Sequence, residues 1–162
     1  MSGIGASVSP ALGGRAEGAV ALAWSGGKDS ALALDALRRT GIEVSALLTT
    51  VTEGYERVSM HGVRRSLLRR QARAAGLPLV EIEIPQRCTD AVYEQRMARA
   101  LAAPPLAGVP AVAFGDLFLE DVRRYREERL GPTGIRPLFP LWGRDTARLA
   151  REMIRGGLRA RL

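Results

Sequence analysis

The stretch 25-SGGKDS-30 concentrates more chemistry than any other six residues of the chain. Gly26 and Gly27 admit backbone conformations closed to other residues and let an anion approach the main chain. Ser25 and Ser30 add hydroxyl donors. Lys28 supplies a point charge, and it is the single lysine among 24 basic residues. Asp29 is placed either to cap a helix or to hold a magnesium ion. An apolar run, 19-AVALAW-24, precedes the turn, and a helical pattern follows it. The first N–H groups of that helix would face a phosphate, aided by roughly half a positive charge from the helix dipole. The plainer alternative is a strand-to-helix turn in which Asp29 or Ser30 is only the N-cap. The spacing excludes a Walker A loop, which needs G-x-x-x-x-G-K-[ST]. It also excludes the G-x-G-x-x-G dinucleotide fingerprint.

Strands and helices alternate around this turn. Strands are expected at 19–24, 43–51, 79–84 and 109–115, where apolar runs are bounded by glycine or proline. Helices are expected at 28–39, 62–75, 89–103, 119–130 and 144–155. In the second of these Val63, Leu67, Leu68, Ala72 and Ala75 share a face. Residues 136–142 (RPLFPLW) are read as an extended segment, and the closing GGLRARL as the beginning of a fifth strand. Helical crossovers between strands require a parallel sheet covered on both faces. The expected fold is therefore α/β, an open doubly wound parallel sheet of about five strands. No repeat or linker divides the chain.

Composition sets the outer bounds. The 162 residues are 46% hydrophobic and 25% charged, enough for one domain with a continuous core. One cysteine, Cys88, rules out an internal disulfide or a multi-cysteine metal site and suits a reducing cytoplasm. Nothing approaches the ~20 apolar residues of a membrane span. Residues 1–18 are Gly-rich, aperiodic and without targeting character, so a disordered extension is expected. The formal charge of +7 favours anionic small molecules. Because arginines occur along every predicted helix, they are read as solvated faces, and nucleic acid is not the expected partner.

In a parallel sheet, ligands bind beyond the carboxyl ends of the strands. Gly115 and Asp116 end the fourth strand at that edge, where a carboxylate can bind magnesium or polarise an amine, or merely cap the next helix. His61, the single histidine, and Arg64 precede or open the second helix at the same edge. Arg144, before the last helix, is placed to bind a phosphate or a carboxylate, with Asp145 or Thr146 as the helix cap. Glu53, Gly54 and Tyr55 follow the second strand. Cys88 has no motif partner and is assigned no catalytic role.

The S-G-G-x-D-S spelling resembles the pyrophosphate-binding loop of the PP-loop ATP pyrophosphatase superfamily (adenine nucleotide alpha hydrolase-like). That resemblance implies a Rossmann-like HUP fold and cleavage of ATP between the α and β phosphates. Three further segments, 46-ALLTTVTEGYERVSMHGVR-64, 114-FGDLFLEDVRRYRE-127 and 137-PLFPLWGRDT-146, are similar to the diphthine–ammonia ligase-like branch. The likeness spans about residues 19–158. It implies an ATP- and Mg²⁺-dependent carbon–nitrogen ligase that adenylates a carboxylate and releases AMP after attack by ammonium or an amine. Within it, Lys28 and Asp116 would be catalytic, residues 25–30 would bind ATP, and Asp29 and Asp116 would hold magnesium. His61, Arg64, Gly115 and Arg144 would contact the substrate.

In that branch the acceptor is diphthine on elongation factor 2. The arginine- and alanine-rich composition suggests a bacterial source, where diphthamide is not made and the acceptor would differ. Relatives usually continue into a G-E-x-G-E-type region, whereas this sequence stops at Leu162. Part of the acceptor site is then expected to be absent or supplied by another subunit, as in a homo-oligomer. Two other functions remain open: an ATP- or AMP-binding module without ligase activity, and a PP-loop RNA-modifying enzyme.

Overall fold

The computed structural model describes residues 18–55 and 62–160. His61, the first 17 residues of the expected N-terminal extension, and the last two residues lie outside them. Five strands form one all-parallel sheet: β1 (Val20–Ala23), β2 (Val44–Thr52), β3 (Leu79–Ile84), β4 (Ala111–Ala113) and β5 (Arg136–Leu138). Their spatial order is β3-β2-β1-β4-β5. The helices are α1 (Lys28–Arg39), α2 (Arg65–Ala75), α3 (Asp90–Leu101), α4 (Glu120–Leu130) and α5 (Thr146–Arg155). A short 3-10 turn, Gly131–Thr133, follows α4.

The sheet is buried on both sides, as alternate strand residues require. Leu22, Trp24 and Leu47 meet α1, α2 and α5 through Leu34, Leu37, Leu68 and Leu149. Leu48, Ile82, Val112 and Phe114 meet α3 and α4 through Leu101 and Leu130. Local stops set the helix lengths. Gly76 leaves α2 at φ +71°, and Thr40 ends α1 by donating its hydroxyl to the carbonyls of Ala36 and Leu37. In α2 Leu68 is fully buried, whereas its expected companion Leu67 is 40% exposed. The helix seats a narrower stripe on the sheet than the sequence pattern suggests.

The fifth strand is not the closing GGLRARL. β5 comes from the extended segment 136–142, and residues 156–160 form no strand. β4 needs a parallel neighbour on its open side, and the chain leaving α4 supplies it. Arg136 N–H donates to Pro110 O, and Phe114 N–H donates to Leu138 O. Pro137 has no N–H to offer the sheet, which an edge strand tolerates. Gly156 and Gly157 instead terminate α5, with Gly157 at φ +75°.

Candidate functional site

The strand order reverses between β1 and β4, and the SGGKDS turn lies at the carboxyl end of β1 beside that crevice. Two features hold the turn. Gly26 sits at φ +77°, and a Cβ there would lie 2.6 Å from Leu68 Cδ2 and 2.9 Å from Gln71 Oε1. Gln71 also donates its amide to Gly26 O at 3.1 Å and accepts the Trp24 indole N–H at 3.1 Å. The turn is thus clamped against α2 by a side chain with both donor and acceptor in use.

Gly27, extended at φ −88° and ψ 174°, is the N-cap of α1, and no side chain caps the helix. Neither Asp29 nor Ser30 takes that position. The N–H groups of Lys28, Asp29 and Ser30 therefore have no partner inside the helix and point outward at its positive end. The serine hydroxyls brace the turn itself. Ser30, almost fully buried, donates to Gly27 O at 2.9 Å, and Ser25 donates to Ser30 Oγ at 3.3 Å while accepting Gly27 N–H. Lys28 Nζ lies 2.8 and 2.9 Å from the two carboxylate oxygens of Asp29. Both side chains of this pair are open to solvent, so the pair is weak and exchangeable.

The end of β4 forms the opposite wall. A Cβ on Gly115 would stand 3.0 Å from the backbone carbonyl of Asp29. A side chain at this position would crowd the backbone of the first turn of α1, so glycine suits the close approach, and Asp116 follows directly in the chain. Asp116 faces Arg126 of α4 at 3.7 Å, too far for a hydrogen bond, and its Oδ2 is buried without any hydrogen-bond partner. Arg126 stacks over Phe114 at 4.4 Å, and Arg123 lies between the rings of Phe139 and Trp142 at 5.1 and 4.8 Å. The 137–146 segment joins this wall where Gly143 N–H donates to Leu117 O at 2.8 Å.

The remaining sequence candidates are placed less centrally. Arg144 donates to Glu152 at 2.6 Å, and that bond holds the Glu152 carboxyl below the usual glutamate range. Asp145 is the N-cap of α5, accepting Arg148 N–H at 2.7 Å. Arg64 is the exposed N-cap residue of α2. Glu53 pairs with Arg96 of α3, beside an exposed Tyr55. Sequence reasoning missed Gln71, Arg123 and Arg126. Gln71 carried one signal, as the lone amide in an arginine- and alanine-rich helix.

Among the described residues no cluster of three or more His, Cys, Asp or Glu side chains could hold a metal alone. Magnesium, however, is commonly held by one or two carboxylates plus substrate phosphates and water. Asp29, with a carboxylate open to solvent, and Asp116, which follows the Gly115 that meets the Asp29 backbone, are hard oxygen donors of the kind an ion carried by a nucleotide takes.

A glycine turn at the switch point of a parallel sheet, with an uncapped helix start behind it, defines a PP-loop nucleotide-binding domain. The chain belongs to the diphthamide synthase N-terminal domain family, a PP-loop ATP pyrophosphatase family whose model matches residues 18–137, from before β1 into β5. A search of curated proteins found no match. No helix among the described residues is long and apolar enough to cross a membrane.

Proposed function

We propose that the protein is an ATP-dependent ligase that adenylates a carboxylate and then forms an amide. The observation carrying this reading is the uncapped start of α1 behind SGGKDS, closed against Gly115-Asp116. In it, the β and γ phosphates lie on the 25–30 turn against the N–H groups of Lys28, Asp29 and Ser30. An acceptor carboxylate oxygen attacks the α phosphorus, and the bond to the bridging oxygen breaks with pyrophosphate leaving. The nitrogen of ammonia or an amine then attacks the acyl carbon, AMP departs, and the nitrogen loses a proton. We assign Asp116, which follows Gly115 at the end of the β4 segment, to receive that proton.

The charge that builds on pyrophosphate is met by the helix start and by Lys28, both in place before the bond breaks. Lys28 must exchange Asp29 for phosphate to do this, and its open pair makes that exchange inexpensive. Bound magnesium would add charge neutralisation at the phosphates, held by Asp29 and Asp116.

The test is product analysis after incubating the protein with ATP, magnesium, ammonium and a panel of carboxylates. AMP and pyrophosphate are expected. ADP and phosphate would overturn the reading, and tight ATP binding without turnover would make the protein a nucleotide-binding module. Lys28→Ala should lower AMP formation by about 10²-fold with unchanged thermal unfolding. Undiminished turnover would remove Lys28 from the mechanism.

A further inference from the structure

Arginines that look evenly spread along the chain are unevenly spread over the fold. Helices α1, α2 and α5 cover one face of the sheet, and α3 and α4 cover the other. The first three carry ten Lys or Arg and three Asp or Glu, whereas α3 and α4 carry six of each. The rest of the sequence balances at eight against eight, so the whole formal charge of +7 falls on the helices of one face.

Ion pairing does not cancel this excess. Glu81 and Glu83 of β3 reach toward the same face and engage Arg65 and Arg69. Asp35 takes Arg39, and Glu152 takes Arg148. Arg70 and Arg73 of α2, Arg151 and Arg155 of α5, and Arg38 of α1 are exposed and have no acidic partner among the described residues. Arg38 donates to Ala75 O at 2.7 Å, which joins the last turn of α1 to that of α2. A shallow open depression lined by Ser66, Arg69, Arg70 and Arg73 lies along α2. The helix dipole favours a base in the last turn of any helix, but α3 and α4 also end in such residues and are neutral overall.

The composition of the face selects the partner. Guanidinium groups match phosphate oxygens in a planar, bidentate way. Single-stranded nucleic acid would call for aromatic stacking platforms, yet the exposed aromatics, Tyr55 and Phe118, lie in loops after β2 and β4. The exposed apolar side chains of the face's helices, Leu67 and Ile154, are single residues on separate helices, short of the apolar stripe a membrane surface needs. We propose that the α1/α2/α5 face docks the phosphate backbone of a double-helical nucleic acid, with Arg70, Arg73, Arg151 and Arg155 as principal contacts. The helices run opposite to the strands, so Arg73 and Arg155, in the last turns of α2 and α5, lie toward the sheet edge away from the SGGKDS turn. Arg70 and Arg151 stand midway along those helices, exposed to solvent. Among the described residues none of the four bonds to the turn, so docking and nucleotide chemistry can be tested separately.

The test is fluorescence anisotropy of the full chain with labelled RNA and DNA duplexes of about 20 base pairs, across a salt series. Binding should weaken with salt at a log–log slope of about four. Arg70→Glu/Arg73→Glu and Arg151→Glu/Arg155→Glu should each weaken binding about tenfold or more and reduce the slope by about two. Arg99→Glu/Arg124→Glu on the opposite face should bind as the parent does. All three variants should keep the parent's thermal unfolding and its AMP formation, so docking can fail without touching the ligase reading. No duplex binding at low salt, equal loss in the opposite-face variant, or preference for phosphatidylserine vesicles over both duplexes would overturn the proposal.

Discussion

Gly26 and Gly27 are neighbours with unlike demands. Gly26 combines φ +77° with a wall formed by Leu68 and Gln71, so alanine there meets both backbone strain and a clash. Gly26→Ala should cost about 1–3 kcal/mol, read by urea unfolding, and should abolish ATP binding. Gly27 has φ −88° and only Ser25 Oγ within reach, at 3.3 Å. Gly27→Ala should change stability by no more than about 1 kcal/mol, and equal losses at the two positions would refute this division. Gln71 offers a related contrast. Gln71→Leu leaves the Trp24 indole N–H and Gly26 O without their partner, at a cost of about 1–3 kcal/mol. Calorimetry should show weaker ATP binding in that variant, because the turn loses its clamp.

At the scale of elements, β3 and β5 are the two exposed edges of the sheet, and each is blunted in its own way. Pro137 leaves the outer side of β5 without an N–H to offer a further strand. On β3, Glu81 and Glu83 are tied to α2 through Arg65 and Arg69, which charges the edge and fixes the helix over it. The hydrogen bond from Arg69, then that from Arg65, holds the Glu81 carboxyl below the ordinary glutamate value of 4.5 despite partial burial. A carboxyl depressed by folding stabilises the protein above its unfolded pKa, and the contribution is lost as pH falls through the folded value. Stability should therefore decline between about pH 5 and 3. Urea midpoints should show Glu81→Gln less stable at pH 7 and flatter across that window. A parallel decline in both proteins would place the acid sensitivity elsewhere.

For the whole molecule, the reversal of strand order brings two distant stretches, 25–30 and 114–116, to one crevice. Both walls rest on the same buried sheet, so the nucleotide site and the core should unfold together. ATP with magnesium should raise the unfolding temperature in proportion to the logarithm of ligand concentration. The shift should vanish in Lys28→Ala and persist in Arg70→Glu/Arg73→Glu. A shift lost in the second variant would place the basic face at the nucleotide site.

The sequence by itself determined most of the elements and the chemistry of the turn. The bounds of α1 are those its pattern predicts, and β2, β3 and α4 deviate by a residue at most, because periodicity and glycine stops act between near neighbours. The SGGKDS spelling pointed to a strand-to-helix turn ahead of Lys28 for the same local reason, and α1 does start there. What tertiary structure decided depends on which side of the sheet an element occupies and what lies beside it. The choice of 136–138 over the closing GGLRARL as β5 followed from the open side of β4. Gln71 acquired its role only when α2 packed over the turn, and Gly115 only when β4 closed on α1. The arginines became a charged face because strands added outward from β1 put α1 and α2 on one side, while the crossover through α3 carried the chain to the other. Charge counted along a chain is a sum; charge sorted by a sheet is a surface.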